Sequence, residues 1–231
     1  TAALLCQLSA GDHVVAAKAA FGSCRWLVDT LLPKFGIATT TIDGRDTAAW
    51  EAAAKPNTKV FFFETPANPT MDVVDIAAVC AIAKRRGITT VVDNAFASPA
   101  LQRPMEFGAD VVAYSATKMM DGQGRVLAGA ICGTRDWIDS VLLPFHRNTG
   151  PTLSAFNAWV VLKGLLHFGD DEAHAVAVAG WKFLAGAVCP GVVKLYNFVE
   201  QSRADGTKIG FIVMEYVGGR SLRDILSARP D

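Results

Sequence analysis

From residue 13 onward, short apolar runs rich in Val, Ile and Phe alternate with longer stretches in which apolar residues recur at helical spacing. The pattern predicts strands at His13–Ala16, Ile37–Ile42, Lys59–Glu64, Thr89–Asp93, Asp110–Tyr114 and Val126–Cys132. It predicts helices near Ser23–Lys34, Thr47–Ala54, Val73–Arg86 and Arg135–Leu143. Strands alternating with helices in this way make an α/β fold, with a mainly parallel sheet covered on both faces. Gly36 and Gly87 fall just past helix ends, where a left-handed cap is expected. After Gly150 the pattern changes. Residues from Pro151 to about His167 and Glu172–Val188 read as helices. Val192–Glu200 and Lys208–Tyr216 read as a hairpin turning at Asp205-Gly206, and Ser221–Ala228 reads as a closing helix.

Composition narrows the class. Hydrophobic residues make up 51% and charged residues 19%, which favours a packed chain over a disordered one. Lys+Arg and Asp+Glu balance at 22 each, so the basic footprint of a nucleic-acid binder is missing. Five cysteines without tight spacing make neither a disulfide framework nor a zinc site, and no metal is expected. The natural compartment is a reducing cytoplasm. The apolar runs break before a membrane span is reached, and no basic-then-apolar leader opens the chain. Thr1 falls inside a helical pattern and Asp231 follows another, so both ends are expected to be cuts through larger domains.

Candidate chemistry gathers at three strand ends. Asn68, Asp93 and Lys118 are spaced by 25 residues each, about one βα unit, so they can line one edge of a sheet. A lysine there can form a Schiff base with an aldehyde. Ser115 and Thr117 beside it offer hydroxyls suited to a phosphate. Asp93, ending an apolar run, needs a cationic partner, and a protonated pyridine nitrogen is one. Each residue also has an ordinary reading: a solvated surface lysine, a helix-capping aspartate, an Asn-Pro turn.

The literal motifs add to this. Phe63-Glu64-Thr65-Pro66-Ala67-Asn68-Pro69-Thr70, Val91-Val92-Asp93-Asn94 and Tyr114-Ser115-Ala116-Thr117-Lys118 resemble, in this order, the Cys/Met-metabolism family of enzymes that use pyridoxal 5'-phosphate (PLP). Asp121-Gly122-Gln123-Gly124-Arg125, Thr149-Gly150-Pro151 and Ser154-Ala155-Phe156-Asn157-Ala158-Trp159 look most like its O-succinylhomoserine sulfhydrylases. The resemblance covers residues 1–165, which it identifies as a partial type I PLP large domain of the aspartate-aminotransferase kind. It implies that Lys118 holds the cofactor as an imine and shuttles protons, and that Asp93 pairs with the pyridinium. It further implies that Ser115 and Thr117 bind the phosphate, Asn68 meets the phenolic oxygen and Phe21 stacks on the ring. The family more often has Tyr at Phe21, so only stacking is expected there. Cys24, nearby, reads as a small buried hydrophobe rather than a nucleophile. The implied reaction is γ-replacement, in which sulfide displaces succinate from a homoserine ester to give homocysteine. Family members build their sites at subunit interfaces, which implies a homo-oligomer. The family's upstream phosphate-binding segment and the C-terminal arginine that grips the substrate carboxylate are not in the sequence, so weak turnover is expected.

Residues 166–231 suggest a second resemblance. Val160-Val161-Leu162-Lys163-Gly164, Pro190–Glu200 and Ile212–Gly219 are similar to the N-lobe of bacterial Ser/Thr kinases of the protein kinase G type. That resemblance implies Lys163 as a strand-borne ATP lysine, with Glu215 and Val217 in an adenine-binding hinge. No Gly-rich loop, His-Arg-Asp or Asp-Phe-Gly element accompanies it, so an ATP-binding or pseudokinase-like fragment is implied rather than phosphoryl transfer. An inactive fusion is the remaining alternative.

Overall fold

The computed structural model describes residues 1–167 and the backbones of two further strands. The chain divides into two compact units, Thr1–Phe168 and Gly169–Asp231. In the first, six strands form one sheet: β1 (His13–Ala17), β2 (Ala38–Ile42), β3 (Thr58–Glu64), β4 (Thr89–Asp93), β5 (Val111–Ser115) and β6 (Gly129–Gly133). Their spatial order is β2-β1-β3-β4-β5-β6. The first five are parallel, and β6 runs antiparallel to β5. The reversal has a simple cause. Residues 116–128 carry no crossover helix to return the chain to the far end of the sheet, so it turns back beside β5.

The sheet is apolar on both faces because its strands alternate between two cores. Phe61 and Phe63 of β3 join Val15, Trp50, Val79 and Val92 on one face, under helices α1 (Thr47–Ala53) and α2 (Ile76–Arg86). Val60 and Phe62 join Val14, Leu27, Val28, Leu32 and Val91 on the other, under the helical run 22–34. The period of two along a strand produces this division.

Caps set several boundaries that periodicity alone misplaces. Helix α2 starts at Ile76, not Val73, because the Asp75 carboxylate accepts the Ala78 N–H at 2.9 Å. Its end is where the sequence places it, at Gly87 with φ 66°. Helix α3 (Ala155–His167) begins after Pro151, with the Ser154 hydroxyl accepting the Asn157 N–H at 3.1 Å. The expected strand over Val126–Cys132 is shorter: Val126 packs instead with Ala116, Met120, Val160 and Val161.

In the second unit, β7 (Leu195–Ser202) and β8 (Lys208–Met214) pair antiparallel, in the place of the expected hairpin. The expected helices over Glu172–Val188 and Ser221–Ala228, and residues Glu215 and Val217, lie outside the described residues. No described helix is long and apolar enough to cross a membrane.

Candidate active site

Strand order reverses between β1 and β3, because β1 is followed on one side by β2 and on the other by β3. In open α/β sheets the crevice at such a switch point, beyond the carboxyl ends of the strands, is where ligands bind. The loops leaving β1, β3, β4 and β5 at this edge carry Phe21, Glu64 with Asn68, Asp93, and Ser115 to Lys118.

The structure brings most of the expected residues together. The Lys118 ammonium lies over the Phe21 ring, 4.9 Å from its centroid. Lys118 interrupts the helical turn 116–120, with φ −90° and ψ −113°, and its side chain is exposed. Asp93 sits at the end of β4, in register with Glu64 of β3. One of its carboxylate oxygens accepts the Ala95 N–H at 3.0 Å, and the other accepts the Cys24 S–H at 3.4 Å. Cys24 is thus half-buried, packed against the second core as a small hydrophobe, with its thiol directed at a carboxylate. Burial, with the Asp93 charge next to it, pushes its thiol up to about 12. A thiol held protonated in this way is no nucleophile at neutral pH.

The hydroxyls differ from each other. Ser115, opposite Gly129 on β6, has no side-chain hydrogen-bond partner among the described residues. Thr117 donates its hydroxyl proton to the Ala128 carbonyl at 3.2 Å and accepts the Ala128 N–H at 2.8 Å. To donate to a phosphate, Thr117 must first release that carbonyl. The Asn68 side chain is half-buried, also without a partner among the described residues.

Glu64 was not among the expected site residues, although it stands inside the first motif. Its relative exposure is 3%. Its two oxygens accept the Phe21 N–H at 2.5 Å and the Asn68 N–H at 3.2 Å. Burial raises its carboxyl above the ordinary value; Asp93 pushes the same way, while the two N–H groups and Lys118 oppose. The legible signal was a lone carboxylate closing the apolar run Val60–Phe63. A second missed feature holds the loops still. Gln102 donates to the Thr65 carbonyl at 2.7 Å and to the Asn94 side-chain oxygen at 2.8 Å. Asn94, fully buried, in turn donates to the Tyr114 hydroxyl at 3.2 Å. The loops after β3 and β4 and the strand β5 are therefore tied together.

The donor set suits PLP. An exposed amine sits over an aromatic face, a half-buried carboxylate has only a weak thiol donor on one oxygen, and the Ser115 hydroxyl is available.

Lys163 does not join this cluster. It lies exposed on α3, with its ammonium 5.8 Å from the Trp159 ring centroid. The strand position that a kinase ATP lysine requires is not what the structure has here; the helical phase of residues 155–167 wins over the local string Val160–Gly164.

Comparison with known proteins bears on the whole chain. O-Succinylhomoserine sulfhydrylase of Mycobacterium tuberculosis is 52% identical over 172 residues, covering 74% of this chain and 42% of that protein. Cystathionine beta-lyase MetC of Staphylococcus haemolyticus is 33% identical over 233 residues, covering 97% of this chain and 59% of that protein. The crystal structure of MetB from Corynebacterium glutamicum superposes with a TM-score of 0.72 at 32% identity, over 84% of this chain and 51% of that one. The chain thus spans about half the length of the relatives it matches. The family profile for Cys/Met metabolism PLP-dependent enzymes matches residues 1–196, past the boundary at 165 that the motifs suggested. With a mainly parallel sheet, a lysine and a carboxylate at the carboxyl edge of its strands, and this match, the chain belongs to the Cys/Met metabolism PLP-dependent enzyme family.

Proposed function

We propose that the chain binds PLP at Lys118 and serves γ-replacement on a succinylated homoserine, with sulfide as the incoming nucleophile. The carrying observation is the Lys118 amine poised over Phe21, with the Asp93 carboxylate at the carboxyl end of the strand next to the one that leads to Lys118. Identity to a sulfhydrylase over 172 residues supports the γ-replacement choice. Relatives that cleave cystathionine define the competing reaction within the same family.

When bound, PLP supplies an aldehyde for an amine and a ring that accepts the electron pair released at the substrate α-carbon. The chain supplies the rest. Lys118 loses a proton at Nζ to become the attaching nucleophile, and the same nitrogen then carries protons to and from substrate carbon. Asp93 would hold the ring nitrogen's positive charge and keep its proton in place. The Phe21 face orients the ring by stacking and has no hydroxyl to donate. Ser115 donates to the phosphate from the end of β5.

Titrating the purified chain with PLP, followed by absorbance, tests the site: saturable binding is expected, and its loss in Lys118→Ala. The bound form is then offered O-succinylhomoserine, cystathionine or methionine. A spectral change greatest with O-succinylhomoserine is the expected result. Binding that survives Lys118→Ala rejects the site assignment, and a response confined to cystathionine rejects the substrate.

A further inference from the structure

Two loops leave the sheet on either side of the β1/β3 switch point, and no hydrogen bond among the described residues joins them directly. The loop after β1 presents Phe21; the loop after β3 presents Asn68. We propose that Glu64 is a positioning residue whose buried carboxylate clamps these two loops together and so sets the width and tilt of the space in which the cofactor ring is held. The inference rests on the PLP reading and adds to it a residue that touches neither the ring nor the substrate.

The geometry requires a carboxylate. The two N–H groups come from different loops, Phe21 at 2.5 Å and Asn68 at 3.2 Å, and each meets its own oxygen of Glu64. Only an ionised carboxylate offers two acceptors and no donor. Gln at this position would turn its amide N–H toward one of the two backbone N–H groups, so one loop would come free. Asp would keep the charge but fall a methylene short of at least one loop.

Burying a charge at 3% exposure is costly without compensation, and a solvated helix cap would not need it. Three positive or polar partners offset the cost: the two N–H groups and the Lys118 ammonium. Asp93 acts against them. The Gln102–Asn94–Tyr114 network already secures the loops after β3 and β4 to each other and to strand β5. Only the β1 loop, with Phe21, lacks a tie to that network apart from Glu64 and the Cys24–Asp93 contact. Glu64 is therefore the link that fixes the stacking face relative to the loop after β3.

The test uses the 231-residue chain. PLP affinity, the induced circular dichroism of the bound cofactor, thermal melting, and hydrogen exchange at the Phe21 and Asn68 amides are measured in wild type and Glu64→Gln. Loss of one charge-assisted hydrogen bond is expected to weaken PLP binding about ten-fold. The induced dichroism per bound cofactor should fall, and exchange should accelerate at one of the two amides while sheet amides keep their protection. Glu64→Gln should cost less on top of Phe21→Ala in the double variant than it costs alone, because part of its effect acts through Phe21. If Glu64→Gln lowers the melting temperature, Glu64→Asp is read in its place and should reproduce the exchange and dichroism changes. A Glu64 variant with wild-type affinity, dichroism and amide protection overturns the inference and leaves the cofactor reading standing. A wild-type chain that binds no PLP overturns both.

Discussion

Ser115 and Thr117 stand two residues apart and carry the same functional group, yet their surroundings separate them. The Ser115 hydroxyl has no partner among the described residues, whereas Thr117 holds the main chain of Ala128 with both a donated and an accepted bond. Ser115→Ala is therefore expected to weaken PLP binding several-fold while leaving the melting temperature within about 1 °C, since a half-buried hydroxyl without a partner contributes little to the fold. Thr117→Val should do both, because it leaves the Ala128 N–H without its acceptor at a cost of about 1–3 kcal/mol, while the Ala128 carbonyl keeps the Thr117 N–H. Differential scanning fluorimetry with and without PLP separates the two outcomes. Spacing alone made these hydroxyls equivalent. Which of them is free depends on Ala128, eleven residues away, and no local pattern reports that pairing.

At the scale of the element, β1 begins with a histidine whose ring has no contact with water. His13 is fully buried, with Nδ1 2.8 Å from the Thr58 hydroxyl on β3 and Nε2 2.9 Å from the Thr40 hydroxyl on β2. It ties the amino ends of β1 and β3 to the middle of β2. Burial, assisted by the Lys55 charge, lowers its pKa from 6.5. The fold thus holds the neutral ring, while the unfolded chain takes up a proton near the ordinary value. Stability is present above that value and is lost as pH falls through 6.5 toward the lower folded value. The urea midpoint should drop between about pH 7.5 and 5.5, and the drop should flatten in His13→Gln. An unchanged slope in the variant would assign the acid sensitivity to other groups. The strand itself was legible from its apolar run. The histidine's role was not, since its two threonine partners lie on neighbouring strands.

Across the first unit, the Lys118 turn is shaped from behind by a helix more than thirty residues further along. Gly164 of α3 lies so close to this turn that a Cβ there would collide with the Met120 carbonyl oxygen and come within 3.0 Å of the Asp121 carbonyl oxygen. Inside a helix, Gly→Ala ordinarily adds about 1 kcal/mol of stability. Here the collision is with backbone, which cannot rotate away, so the sign reverses. Gly164→Ala is expected to lower the melting temperature and to weaken PLP binding, although Gly164 is outside the cup. A titration and a thermal melt of the variant check both, and a more stable variant with unchanged affinity would refute the packing argument. The same contact explains why the string Val160–Gly164 misleads when read alone: its glycine serves a helix packed on the turn 116–120.

Much of the architecture was carried by local pattern. The alternation of Val60–Phe63 shows a strand buried on two faces, Asp75 and Gly87 mark how α2 starts and stops, and the ordered motifs around Asn68, Asp93 and Lys118 point to PLP chemistry. These features rest on interactions within a few residues, or on a family signature, and such information is linear. Tertiary structure alone decided the antiparallel return of β6, the bridging of two loops by Glu64, the engagement of Thr117 with Ala128 and the helical setting of Lys163. Each depends on which distant backbone groups arrive at a given side chain, and that is settled only when the sheet assembles.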